Sequence, residues 1–159
     1  AAEEKRALIG ERLSADKAHA AVITAPASLA WLFNIRGGDV ACSPLPLGRA
    51  IIRKDGSAEL FLDPAKETPG LREHLGNQVS LQPMEALEER LTALKSQTVS
   101  LDPSLASAWF FGKLDTIGAA ILRQQDPVLL PKACKNAAEI AATAVAHRRD
   151  GAAVTRFLH

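Results

Sequence analysis

Apolar residues recur along this chain in two rhythms, and the switching between them predicts alternating helices and strands. From Ala2 to Lys17 the spacing is helical, with Leu8, Ile9 and Leu13 on one side among charges. Ala20 to Ala25 is a continuous apolar run of strand length, as expected of a strand covered on both faces. Pro26 breaks it, and Ala27 to Phe33 reads as a short buried helix. Arg49–Arg53 and Ala58–Leu62 flank Lys54-Asp55-Gly56-Ser57, and Asp-Gly between two apolar runs predicts a hairpin. Pro69 to Gly76 predicts a short helix ended by Gly76, and Gln78 to Leu81 a short strand.

Met84, Leu87, Leu91 and Leu94 then form a helical stripe, with Glu85, Glu88, Glu89 and Arg90 turned to water. Thr98 to Leu101 is strand-like. Asp102-Pro103 has the form of an N-cap followed by proline at the first helical position, opening a helix with Ala106, Trp109, Phe110 and Leu114 on one side. Pro127 to Pro131 reads as a brief extended stretch. From Asn136 onward Ile140, Ala144, His147, Gly151, Val154 and Leu158 make one narrow stripe along a long helix that wants a partner surface. The alternation gives the class α/β with a mixed sheet flanked by helices, since at least one hairpin is present. The domain boundary is expected within Leu130 to Lys135, dividing the chain into 1–130 and 131–159.

One stretch stands out chemically. Ser28-Leu29-Ala30-Trp31-Leu32-Phe33 passes abruptly into Asn34-Ile35-Arg36-Gly37-Gly38-Asp39. A buried element that delivers a cation, two glycines and a carboxylate to a rim suits a binding loop. A helix end with a glycine stop fits the same residues. Arg36 could fork onto a peptide carboxylate or salt-bridge Asp39, and Asp39 reads as a carboxylate that caps nearby amides. Trp31 reads as core rather than cleft wall.

Composition narrows the choices. The 159 residues carry 19 basic and 18 acidic side chains and no tyrosine, so neither a polyanion partner nor a nucleic-acid face is expected. No apolar run approaches bilayer length and no signal peptide is recognisable, so a membrane partner is not expected and the chain reads as cytoplasmic. Cys42 and Cys134 lack zinc spacing and read as isolated thiols. No phosphate-loop glycine pattern is present. His19, His74 and His159 have no companion at telling spacing, and His147, on an apolar stripe, reads as a hydrogen-bonded packing residue. Asp39, Glu59, Asp63 and Asp102 are too ordinary at strand ends to argue for a nuclease. The start at Ala1-Ala2 and the end within a helical pattern read as those of a piece of a longer protein.

Three motifs in order carry a resemblance. Trp31-Leu-Phe-Asn-Ile-Arg-Gly followed by Asp39-Val, the turn Leu101-Asp102-Pro103, and Leu130-Pro-Lys-Ala-x-Lys-Asn-x-x-Glu-Ile followed by Ala146-His-x-Arg-Asp-Gly-Ala-Ala together resemble aminopeptidase P. The likeness runs from Glu3 to His159 and is greatest to the three-domain cytosolic form within the creatinase and prolidase group. It implies the second of two creatinase-like N-terminal domains, of ribonuclease H-like layout, joined at 131–159 to the linker and first helix of a pita-bread catalytic domain. It implies that the parent removes an N-terminal residue preceding proline, using two divalent metal ions, usually manganese. The metal ligands and proton-shuttling histidines of that family lie downstream, so the resemblance assigns this chain no catalytic residue, no metal ligand and no cofactor. Its expected partners are the C-terminal catalytic domain of the same chain, a proline-containing peptide and a second copy in a homo-oligomer. The loop of Arg36, Gly37 and Asp39 would lie on the substrate side, although Gly38-Asp-Val-Ala-Cys42 departs from the Gly-Ser-Asp-Val pattern common in the family. A prolidase or creatinase relative, or a free-standing interaction module docking through its last helix, are the alternatives.

Overall fold

A computed structural model describes residues 1–159, and the chain divides into two compact units, Ala1–Leu129 and Leu130–His159. The first unit is built on six strands: β1 (Ala20–Ile23), β2 (Arg49–Arg53), β3 (Ala58–Leu62), β4 (Val79–Pro83), β5 (Thr98–Leu101) and β6 (Ala120–Arg123). They lie in the order β4-β3-β2-β1-β5-β6. β1 with β2 and β2 with β3 are antiparallel, whereas β3–β4, β1–β5 and β5–β6 are parallel. The expected hairpin is present with its predicted residues, its turn opened by Gly56 at φ +81°. The edge strand β4 ends in Pro83, and the opposite edge, β6, is only four residues long.

Strand periodicity of two sorts the central strands between two cores. Ala21 and Ile23 of β1 face one side with Ile9 and Leu13 of α1 (Ala2–Ala15) and Leu29 and Leu32 of α2 (Pro26–Leu32). α3 (Pro69–Leu75) adds Leu75 to that layer. Ala20 and Val22 face the other side, against Leu87 and Leu91 of α4 (Leu87–Thr92) and Phe110 and Leu114 of α5 (Ala108–Thr116). Because both faces of the sheet are covered, β1 and β3 are buried at every residue, which is why β1 reads as an unbroken apolar run and β3 is apolar but for Glu59.

Several expectations are corrected. Leu8 is 47% exposed, since the apolar face of α1 is the narrower pair Ile9 and Leu13. Met84 lies in a 3₁₀ turn ahead of α4, so only Leu87, Leu91 and Leu94 of that stripe are buried. Arg90 does not simply face water, because its Nε lies 3.3 Å from Glu59 Oε2. Asp102-Pro103 opens no helix: α5 starts at Ala108 after Ser107, and Trp109 is 48% exposed. The Asp102 side chain is instead recruited by its own turn and by a neighbouring loop. β6 gives no strand signal, being an edge strand with no alternation in Ala120-Ile-Leu-Arg123.

In the second unit, α6 (Leu129–Ala133) replaces the extended stretch expected up to Pro131. Pro131 sits in the first turn, where no intrahelical partner for its missing N–H is required. α7 (Ala137–Leu158) starts at a capping box in which Glu139 N donates to Asn136 Oδ1 at 2.9 Å and Asn136 N to Glu139 Oε2 at 2.8 Å. None of its 22 residues is buried.

Candidate functional site

The loop that follows α2 begins with a helix stop that is not glycine. Asn34 adopts φ +52°, Ile35 N donates to Ala30 O at 3.1 Å and Asn34 N to Trp31 O at 3.3 Å. This is a Schellman closure with asparagine in the left-handed position, one of the few side chains that tolerate it. Ile35 turns inward at 8% exposure, and the chain emerges as Arg36.

Beyond this point the loop is braced on itself. Arg36 Nη1 donates to the carbonyls of Ile35 (2.9 Å) and Ala30 (3.3 Å), so it does not pair with Asp39. Gly37 N donates to Pro44 O at 3.3 Å, and a Cβ at Gly37 would stand 2.7 Å from Pro46 Cα. Gly37 is therefore set by crowding, whereas Gly38 has nothing within 4 Å. Asp39 Oδ2 accepts from Leu47 N at 2.6 Å and from Lys66 Nζ at 2.7 Å. Those bonds, the Lys66 partner first and the Leu47 amide second, hold its carboxyl below the usual range. A pocket of about 100 Å³ lies among Arg36, Gly38, Asp39, Pro46, Lys66 and Leu71. The structure thus brings Arg36, Gly37 and Asp39 to one exposed loop, with Asp39 as the clasp that the sequence suggested and Lys66 as a partner it did not.

A second polar group sits where β1, β5 and β6 end. Asp102 Oδ1 accepts from Ser104 N (2.8 Å) and Ser104 Oγ (2.6 Å), while Oδ2 accepts from the buried Asp126 N (2.8 Å). Asp126 in turn accepts from Ser28 Oγ (2.6 Å) and Val128 N (2.8 Å). Burial, the largest influence on Asp102, pushes its pKa up. The bonds from Ser104, Asp126 and Leu105 outweigh it and leave the carboxyl below its ordinary value. All three side chains are buried, and they tie α2 to both strand ends as a structural knot.

The remaining candidates are committed to packing or to solvent. Glu59 is clamped by Arg53 and approached by Arg90, and Asp63 caps the turn at Pro64–Lys66 by accepting from Ala65 N. Trp31 is half-buried, with Lys5 Nζ 4.4 Å above its ring. His19 Nδ1 accepts from Thr98 N and His74 Nε2 donates to Phe33 O. His147 is exposed in this chain, as are Ile140, Ala144, Gly151, Val154 and Leu158 of the same stripe. Cys42 and Cys134 are free and exposed. No group of three or more His, Cys, Asp or Glu side chains is placed to hold a metal ion, so these residues do not fit the dinuclear centre that the resemblance implies for the parent. No helix is long and apolar enough to cross a membrane.

Comparison with known proteins matches residues 1–139 to a family described as Creatinase/Prolidase N-terminal domain. A relative from Coccidioides posadasii (strain RMSCC 757 / Silveira), described as a probable Xaa-Pro aminopeptidase P, is 33% identical over 163 residues, covering 98% of this chain and 26% of its own length. The chain thus spans about a quarter of such curated relatives. Among solved structures, a Caenorhabditis elegans X-prolyl aminopeptidase, described as a cytosolic enzyme with a di-nuclear active site, aligns over 99% of this chain and 26% of its own. Its TM-score is 0.84 at 24% identity. A Bacillus anthracis Xaa-Pro dipeptidase aligns over 89% of this chain and 38% of its own, with a TM-score of 0.68 at 15% identity.

Proposed function

Because this chain belongs to the Creatinase/Prolidase N-terminal domain family, we propose that it is the non-catalytic, substrate-side and assembly domain of a larger Xaa-Pro aminopeptidase. The observation that carries this reading is the asymmetry of the match: 98% of the chain aligns, yet with only 26% of a probable Xaa-Pro aminopeptidase P. In the proposal, residues 1–130 shape access to a proline-containing peptide, and 131–159 lead into the catalytic domain of the same polypeptide. The parent works in the cytosol, with two divalent ions, manganese for preference, held by residues outside this chain. Ile140, Val154 and Leu158, 48–77% exposed on one stripe of α7, supply an apolar seam for that domain, and a homo-oligomer would bring a second copy.

The substrate-side element is the loop of Arg36, Gly37 and Asp39. With Asp39 closed by Leu47 and Lys66, and Arg36 Nη1 turned onto carbonyls, the loop serves as a firm wall rather than as a group that reacts. The chemistry belongs to the parent, and no step is routed through this chain.

The test compares the whole gene product with this chain on an Xaa-Pro-Xaa tripeptide, an Xaa-Pro dipeptide and creatine. Cleavage of the tripeptide by the whole protein alone is expected. Hydrolysis by this chain unaided overturns the reading, and cleavage of only the dipeptide or creatine moves the parent to a prolidase or a creatinase.

A further inference from the structure

Arg6 is a cation in the wrong surroundings for a merely structural role. It lies on the buried side of α1 at 4% exposure, and its Nε has no hydrogen-bond partner. It forms no ion pair; Glu3, one turn earlier, is the charge that acts on it electrostatically. A buried N–H without an acceptor is costly to keep, so natural interiors almost always give such a group a partner. Burial, opposed by Glu3, holds its pKa below the ordinary arginine value.

Arg6 lines an open cavity of about 460 Å³ at the start of α1, together with Glu3, Asn34, His74, Asn77 and Gln78. The cavity offers amide donors from Asn34, Asn77 and Gln78, while His74 already spends Nε2 on Phe33 O. The first turn of α1, whose leading N–H groups have no intrahelical acceptor, borders the same space. We propose that the Arg6 cavity is a binding site for a carboxylate-bearing ligand of amino-acid size, its carboxylate received by the buried Arg6 guanidinium and its remaining polar atoms by the surrounding amides. A planar carboxylate matches the guanidinium fork. Glu3 offsets the Arg6 charge and the lining holds no second Lys or Arg, so a phosphate dianion would meet uncompensated repulsion, which favours a monocarboxylate. The volume exceeds that of a bare carboxyl and leaves room for the ligand's body. The site is separate from the Arg36 to Asp39 loop and stands whether or not that loop meets a peptide.

Two sources supply this chemistry, a free amino-acid-like acid and the C-terminus of a peptide, and the experiment separates them. The Arg6 Nε–H resonance of ¹⁵N-labelled chain is followed while N-acetylalanine, N-acetyl-trialanine, N-acetylalanine amide or inorganic phosphate is added. Saturable shifts are expected with the two acids and not with the amide, and the tighter acid identifies the source. Arg6→Met, read through the Asn77 and Gln78 side-chain amide resonances, is expected to weaken binding at least about tenfold and, without ligand, to melt above the parent, because it removes a buried N–H that has no acceptor. Gln78→Ala, at the rim, is expected to weaken binding while leaving the ligand-free melting temperature unchanged. Equal response to the amide, a phosphate response as strong as that of the acids, or undiminished binding by Arg6→Met would each overturn the proposal. So would an Arg6→Met variant that melts below the parent while no acid shifts the resonance.

Discussion

Replacing Asp102 with alanine tests the structural knot at the strand ends. The side chain accepts three hydrogen bonds, two from Ser104 in its own turn and one from the backbone of Asp126. The Ser104 donors are part-buried and water can take over much of their bonding, so their loss weighs little. Asp126 N is buried, and orphaning it costs about 1–3 kcal/mol. The remaining charge-assisted character adds about 1 kcal/mol, giving about 2–4 kcal/mol, a large share of the about 5–15 kcal/mol that holds a domain together. Asp102→Asn keeps one acceptor oxygen and is expected to lose about half as much. The sign of the pH effect follows from a folded-state pKa below the ordinary value. The stabilisation is complete above about pH 4, where the unfolded carboxyl is ionised, and is lost as pH falls through the lower folded value. Urea unfolding followed by circular dichroism at neutral pH and across the acid range measures both. A loss under about 0.5 kcal/mol in Asp102→Ala, or an acid limb as steep as the parent's, would refute the reasoning.

Other positions give simpler expectations. Asn34→Gly should leave stability within about 0.5 kcal/mol of the parent, whereas Asn34→Val should cost about 1–2 kcal/mol because φ +52° crowds a branched side chain, as urea midpoints would show. Gly10→Ala should destabilise by about 1–3 kcal/mol in thermal melts, since a Cβ there meets Lys54 O at 2.6 Å, where α1 rides over the hairpin turn. Asp39→Ala should speed amide exchange through residues 36–47 by removing the clasp on Leu47 and Lys66, with protection in β1 and β5 unchanged. Calorimetric titration of manganese into this chain should reveal no tight stoichiometric site.

How much of this was legible in the sequence depended on whether the signal was local. The hairpin, the Gly76 stop and the doubly covered β1 each follow from a few adjacent residues, and all were readable. α5 was misplaced because Asp102-Pro103 satisfies the capping pattern, while the carboxylate was claimed by Asp126, twenty-four residues away. β6 escaped notice because pairing with β5, and not its own composition, makes it a strand. In the loop, Asp39 was read correctly as a clasp on backbone amides, yet Lys66 could not be foreseen, since only the return of the chain after β3 brings it there. Arg6 was not singled out because a charged side chain is expected to face water, although its spacing to Ile9 and Leu13 puts it on their face of α1, and the end of α3 with its following turn borders the cavity it lines.

The two margins of the sheet bear on how copies of this protein could meet. Pro83 removes a donor at the end of one border strand, and the other border has four residues, whose Arg123 guanidinium stacks 4.4 Å from the Phe111 ring. Such borders give a neighbour little backbone to continue. Self-association, where it occurs, is therefore steered toward side-chain contacts between helical surfaces, and runaway fibre-like growth through the strands is disfavoured from the outset.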